Sequence, residues 1–306
     1  MFGLLNLFKS NKTSNLVSVT NVNGQFYRSR YIFDLATYKV TKFSPLESKG
    51  NRMFVVSFVG DTNASQVKAL SQEISSILYN YREGDQVLVR IESPGGAAHA
   101  YGYAASQLMR LKNAKIPLTV SVDKVAASGG YLMACVADKI ISAPWAIIGS
   151  IGVVSEVPNV FNLLKNLGID YRQYTAGEFK RTISMMGPIT DAGETKYISG
   201  LMEVYEQFKN HVIESRPSIK DNIDLIATGE HWSGIRALDL MLVDEIKTSD
   251  DFIFESIESF EVLEVKFAGD RKPSLMKVIS DGVSSGIQMA VSKLIDNAIN
   301  HSYKLK

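Results

Sequence analysis

One cysteine, Cys135, stands in a chain of 306 residues. A lone thiol cannot close an internal disulfide, so nothing in the sequence calls for an oxidising compartment. Histidine is also sparse, at four residues. No Cys/His cluster has metal-ligand spacing and no HExxH is present, so no metal site is expected. Excess charge of one sign is missing too. The net charge is +1, which builds no basic field to recruit nucleic acid. Long apolar runs are absent. The most apolar internal stretch, residues 131–154, is broken by Asp138, Lys139, Pro144 and several glycines, and it reads as core. The start, MFGLLNLFK, holds about eight apolar residues where a membrane span needs ~20, and no basic leader or small-residue cleavage site accompanies them. It is open to two readings, a packed N-terminal helix or an interfacial foot built on Phe2, Leu4, Leu5, Leu7 and Phe8. The expected location is therefore cytoplasmic or peripheral to a membrane, without a transmembrane helix.

What is present is a globular composition, with 45% hydrophobic and 21% charged residues. Residues 1–50 are polar and mixed and read as an N-terminal extension. A core spans 51–268, and 269–306 read as a C-terminal amphipathic helix. That helix is suited to docking on the core or a partner subunit, with a membrane surface as the other reading. Within the core, β-branched runs alternate with helical periodicity. Strands are expected at 53–59, 86–92, 117–122, 139–142, 146–154, 169–175 and 243–246. Helices are expected from 63 to about 80, through 103–111, after Ser128, and at 159–167, 191–215 and 232–242. The class is α/β.

Two strand-to-helix corners carry the chemistry. Ser93-Pro-Gly-Gly follows one strand, and its glycines leave backbone N–H groups bare near a helix start. It reads equally as a tight turn. Lys124-Val-Ala-Ala-Ser-Gly-Gly-Tyr forms the second corner. Ser128 there is either a helix cap, the ordinary role of serine at such a place, or a nucleophile beside a donor N–H on Gly129. One hydroxyl filling both roles is the expectation. A nucleophilic serine needs a base. His99, His211, His231 and His301 form no serine–histidine–carboxylate set, and each reads as structural. Lysine is the other option, because a desolvated amine loses its proton more readily. Lys180 follows a glycine turn in TAGEFKRT, where a surface lysine is the plain reading.

The stretches ESPGGAAHAYGYAASQL, IPLTVSVDKVAASGGYLMACVADKIISAPWAIIGSIGVV, TAGEFKRT and ATGEHWSG occur in this order over residues 53–247. Together they resemble the signal peptide peptidase A group of serine peptidases, most closely its SohB branch. The resemblance implies a ClpP/crotonase-like fold of repeated strand-strand-helix units. It implies a serine endopeptidase acting on unfolded or signal-peptide-like chains through an acyl-enzyme, with no cofactor. Ser128 would be the nucleophile and Lys180, 52 residues on, the general base. Ser150 would hold the lysine amine, and Gly129 with Gly95 or Gly96 would form the oxyanion hole. In relatives with a single repeat the lysine comes from a neighbouring protomer, so a homo-oligomer with shared sites is implied. Phage-type capsid-assembly proteases share this chemistry and are an alternative. A crotonase-like acyl-CoA enzyme fits poorly, because Ala97, Ala98 and Ser128 stand where carboxylates would be needed. A non-catalytic scaffold is the remaining rival.

Overall fold

A computed structural model describes residues 17–37 and 50–268. The expected N-terminal foot and C-terminal amphipathic helix lie outside the described residues. In chain order the elements are β1 (Val17–Asn21), α1 (Asn23–Ala36), β2 (Arg52–Val59), α2 (Val67–Asn80), β3 (Gln86–Glu92), α3 (Ala98–Asn113) and β4 (Leu118–Val122). There follow β5 (Val125–Ala127), α4 (Gly129–Ala134), β6 (Lys139–Ser142), β7 (Ile147–Gly149), α5 (Phe161–Asn166) and α6 (Asp191–Ser215). The described part closes with α7 (Ile223–Ile226), β8 (His231–Ser233), α8 (Gly234–Asp239), β9 (Glu245–Ile246), α9 (Ser249–Ser256) and β10 (Glu261–Phe267).

A seven-stranded sheet runs in the order β1-β10-β2-β3-β4-β6-β9. Every pairing in it is parallel except β1 with β10, where Val19 faces Val265. Parallel strands are covered on both faces and so carry continuous apolar runs. Met53–Val56 and Val87–Val89 obey this, all of them buried. Helix α2 buries Leu70, Ile74 and Ile77 on the sheet, and α3 buries Tyr101, Ala104, Ala105, Leu108 and Leu111. The chain is thus a mixed α/β protein around a parallel sheet.

A smaller sheet, β5-β7-β8, stands at the carboxyl ends of the main strands. β5 pairs parallel with β7, and β7 antiparallel with β8. Its placement follows from the backbone of Ser93, the residue just past β3. Ser93 N–H donates to the Val125 carbonyl, and Ala127 N–H donates to the Ser93 carbonyl.

Three expectations need correction. Residues 169–175 form no strand, and α5 is followed by an irregular arm up to α6. Alternating side chains make a strand only where a neighbour supplies hydrogen bonds, and among the described residues none runs beside this segment. Residues 146–154 contribute only Ile147–Gly149 to a sheet, because Ser150 turns to φ +52°. The helix expected from Trp232 starts at Gly234 instead. Trp232 pairs with Ile148 in β8, and the Ser233 hydroxyl caps α8 by accepting from the Arg236 N–H.

Candidate active site

Ser128 ends the short strand β5 and begins α4. Its backbone adopts φ +51°, ψ −121°, a conformation sparsely populated by anything but glycine. The strain is held by pairing. Ser128 N–H donates to the Gly149 carbonyl at 2.8 Å, while its own carbonyl accepts from Tyr131 and Leu132 in α4. The expectation that the Ser128 hydroxyl caps α4 fails, for it makes no capping hydrogen bond. A capping serine uses extended φ/ψ to turn its oxygen back over the helix end. Ser128 does not have that backbone, and it lines a cleft instead.

The cleft has a volume of about 1300 Å³. On the Ser128 side it is edged by Gly95, Gly96, Gly129 and Ser150. Its walls are mostly apolar, with Met109 from α3, Leu132 from α4, and Leu201, Val204 and Phe208 from α6. Among the described residues no Lys, Arg, Asp or Glu lines it.

Close packing explains the glycines. A Cβ on Gly95, which sits at φ +92°, would lie 2.6 Å from the Gly129 nitrogen and 2.7 Å from the Ser128 Cβ. A Cβ on Gly129 would strike the Tyr101 ring at 2.4 Å. The two corners therefore pack so closely that neither glycine has room for a side chain. Gly95 N–H is spent on the Ser93 hydroxyl at 3.1 Å. Among the described residues the N–H groups of Gly96 and Gly129 have no acceptor.

Ser150 follows β7 and is half-buried. Its N–H donates to the Glu230 carbonyl at 2.7 Å, and Gly229 N–H donates to the Ile151 carbonyl. The segment ATGEHWSG thus acts as a splint for Ser150, a role with no local signature in its side chains. The positive φ at Ser150, like that at Ser128, could not be read from sequence.

Lys180 lies elsewhere. It is exposed on the arm after α5 and lines a separate pocket of about 420 Å³ with Tyr171, Gln173, Tyr174 and Arg181. His211 does reach the large cleft, but its Nε2 donates to the Leu132 carbonyl at 3.0 Å. His99 and His231 are exposed. Cys135 is fully buried, and burial pushes its thiol up to about 12, so it supplies no thiolate near neutrality. Among the described residues no group of three or more His, Cys, Asp or Glu side chains could hold a metal ion. Nor is any helix there long and apolar enough to cross a membrane.

This fold, with a second small sheet delivering a strained serine to a glycine-edged cleft, defines a mixed α/β protein of the ClpP-like class. Residues 110–262 match peptidase family S49, and residues 9–108 match the S49 N-terminal family. "Probable protease SohB" of Haemophilus influenzae is 53% identical over 240 residues, covering 78% of this chain and 67% of that protein. The protein of the same name from Buchnera aphidicola of Acyrthosiphon pisum is 47% identical over 74% of this chain and 67% of its own length. "Protease 4" of H. influenzae is 29% identical over 66% of this chain, which is 34% of that longer protein. The chain belongs to peptidase family S49, in its SppA/SohB group, and is a peptidase.

Proposed function

We infer that this peptidase is a serine endopeptidase working through a Ser–Lys dyad on unfolded or signal-peptide-like chains. The observation that carries the reading is Ser128 itself. Its uncapped hydroxyl lines an apolar cleft, beside two backbone N–H groups that have no acceptor. In the proposed reaction Lys180 takes the hydroxyl proton and Ser128 Oγ bonds to the substrate carbonyl carbon. The N–H groups of Gly129 and Gly96 hold the charged oxygen, with Gly95 shaping the turn. Lys180 returns the proton to the leaving amine as the peptide C–N bond breaks. Water, deprotonated by Lys180, then cleaves the acyl-enzyme and regenerates Ser128. Ser150 orients the lysine amine. No cofactor enters any step.

The lysine would come from a second copy of the chain, in a homo-oligomer with shared sites. Two features support this. Among the described residues no lysine lines the cleft around Ser128, and Lys180 opens onto a different pocket. Helix α5 and the arm after it, which carries Lys180, also expose Leu163, Leu167, Ile169, Phe179, Met185 and Met186. Apolar surface of this extent is suited to burial against another subunit, and burial there would take water from the amine, as a lysine base requires. In the same reading the core is built of repeated strand-strand-helix units, of which β4-β5-α4 is one.

The test uses an active-site serine phosphonate. It should label the wild-type protein and fail on both Ser128→Ala and Lys180→Ala. Labelling of either variant to the wild-type extent overturns the dyad.

A further inference from the structure

A buried chain of hydroxyls behind the Gly95–Gly96 turn belongs to none of the roles above. Ser93 and Tyr101 are both fully buried, eight residues apart, at the end of β3 and in the first turn of α3. Their oxygens are 2.5 Å apart. Tyr101 Oη lies 2.7 Å from the Asp61 carbonyl, which can only accept. A phenol has one hydrogen, and here it goes to Asp61. Tyr101 must then accept from Ser93, and the Ser93 oxygen is left to accept from the Gly95 N–H. The direction is fixed along the whole chain, from Gly95 N–H to Ser93, to Tyr101, to the Asp61 carbonyl.

The far end of this chain returns to the same turn. Thr62, next to Asp61, accepts the Ala97 N–H at 2.8 Å. Its carbonyl oxygen sits 2.2 Å from where a Cβ on Gly96 would be. Gly96 is therefore flanked by two tied amides, Gly95 to Ser93 and Ala97 to Thr62, and Tyr101 joins the two ties. The Tyr101 ring meanwhile lies against Gly129, at the other corner, and packs edge-to-face on Phe58 with centroids 6.3 Å apart. Gly60 lets the hydroxyls meet, since a Cβ there would fall 2.4 Å from both Ser93 Oγ and Tyr101 Oη.

We propose that Ser93 and Tyr101 are positioning residues for the oxyanion donors of this peptidase. Their hydrogen-bond chain draws the Gly95 N–H away from the cleft, and the tie to Asp61 and Thr62 aims the Gly96 N–H into it. The Tyr101 ring sets the height of the Gly129 N–H. The inference rests on acyl transfer at Ser128.

The experiment compares Tyr101→Phe, Ser93→Ala and the double variant with wild type and Ser128→Ala. All are assayed on a fluorogenic peptide at equal concentrations of folded protein, checked by circular dichroism. Removing an oxyanion donor outright costs about 10²–10³ in kcat, and a misaimed donor should cost about tenfold or more. The expected result is that fall in kcat for each single variant, with KM within about twofold. The double variant should be no worse than the worse single, because both act through one chain. A peptidyl boronic acid, whose tetrahedral oxygen occupies the hole, should lose affinity in step with kcat. Amide exchange at Gly95 should quicken in Tyr101→Phe. Wild-type kcat and boronate affinity in both single variants, with Ser128→Ala inactive, would overturn the positioning role alone. Turnover retained in Ser128→Ala would overturn the catalytic reading and this inference with it.

Discussion

Ser128 donates its backbone N–H to the Gly149 carbonyl, and one residue on, Ser150 takes the same positive φ as Ser128, +52° against +51°. The pairing of β5 with β7 thus brings two strained serines to one cleft edge from distant points in the chain. Each strained backbone is held by its neighbour's ladder, and neither would persist without it.

Strain at Ser128 has a thermodynamic consequence. Ser128→Gly should abolish turnover and yet stabilise the fold by about 1 kcal/mol, because glycine adopts this φ/ψ freely. Ser128→Ala should be equally inactive without the gain. Thermal denaturation of the two variants side by side makes the comparison. A Gly variant less stable than the Ala variant would show that the backbone is unstrained.

Gly95→Ala should be costly twice over. The new Cβ meets backbone atoms of Ala127 and Gly129 under 3 Å away, and φ is +92°. A loss of about 2–4 kcal/mol is expected, with collapse of activity as the two corners separate. Gly200→Ala in α6, where a Cβ meets nothing within 4 Å, should instead stabilise by about 0.5–1 kcal/mol. Urea unfolding reads both.

A shared site predicts complementation. Ser128→Ala and Lys180→Ala should each be inactive, and mixing them after dissociation and reassembly should restore measurable turnover. Each mixed contact would then pair an intact Ser128 with an intact Lys180. Mixed oligomers with no activity above either parent would place the base within one subunit.

Stability should depend on pH through Asp85. Burial alone would raise its carboxyl, but hydrogen bonds from the Arg52 side chain and the Arg82 N–H, with the Arg52 charge, outweigh that and hold it below the ordinary carboxylate range. A depressed folded value means that the stabilisation is complete above the unfolded value of about 4. It is lost as pH falls through the folded one. Asp85→Asn should cost about 3 kcal/mol at pH 7, since it strands the mostly buried Arg52. The gap to wild type should narrow below pH 4. Denaturation at pH 7 and pH 3 measures it, and a constant gap would rule Asp85 out as the acid-sensitive group.

Much of the fold is legible in the sequence because it rests on local pattern. The apolar runs at 53–59 and 86–92 are buried parallel strands, and the 191–215 periodicity is one helix. The Gly95 and Gly129 corners are visible because only glycine tolerates such approach. Legibility fails where partners decide. Residues 169–175 have strand composition but no neighbour, while Trp232 has one in Ile148 and becomes strand. Strands β1 and β10 meet across nearly the whole chain, and no short window shows that.

By itself the sequence determined the α/β alternation, the two glycine corners and the serine between them, since spacing and side-chain size are properties of neighbours in the chain. Tertiary structure alone decided that the Ser128 hydroxyl leaves its helix uncapped, that Ser93 occupies the Gly95 N–H, and that Lys180 opens onto a different pocket. Those outcomes depend on which distant strand supplies each hydrogen bond, and hydrogen bonds are satisfied through space, not along the chain.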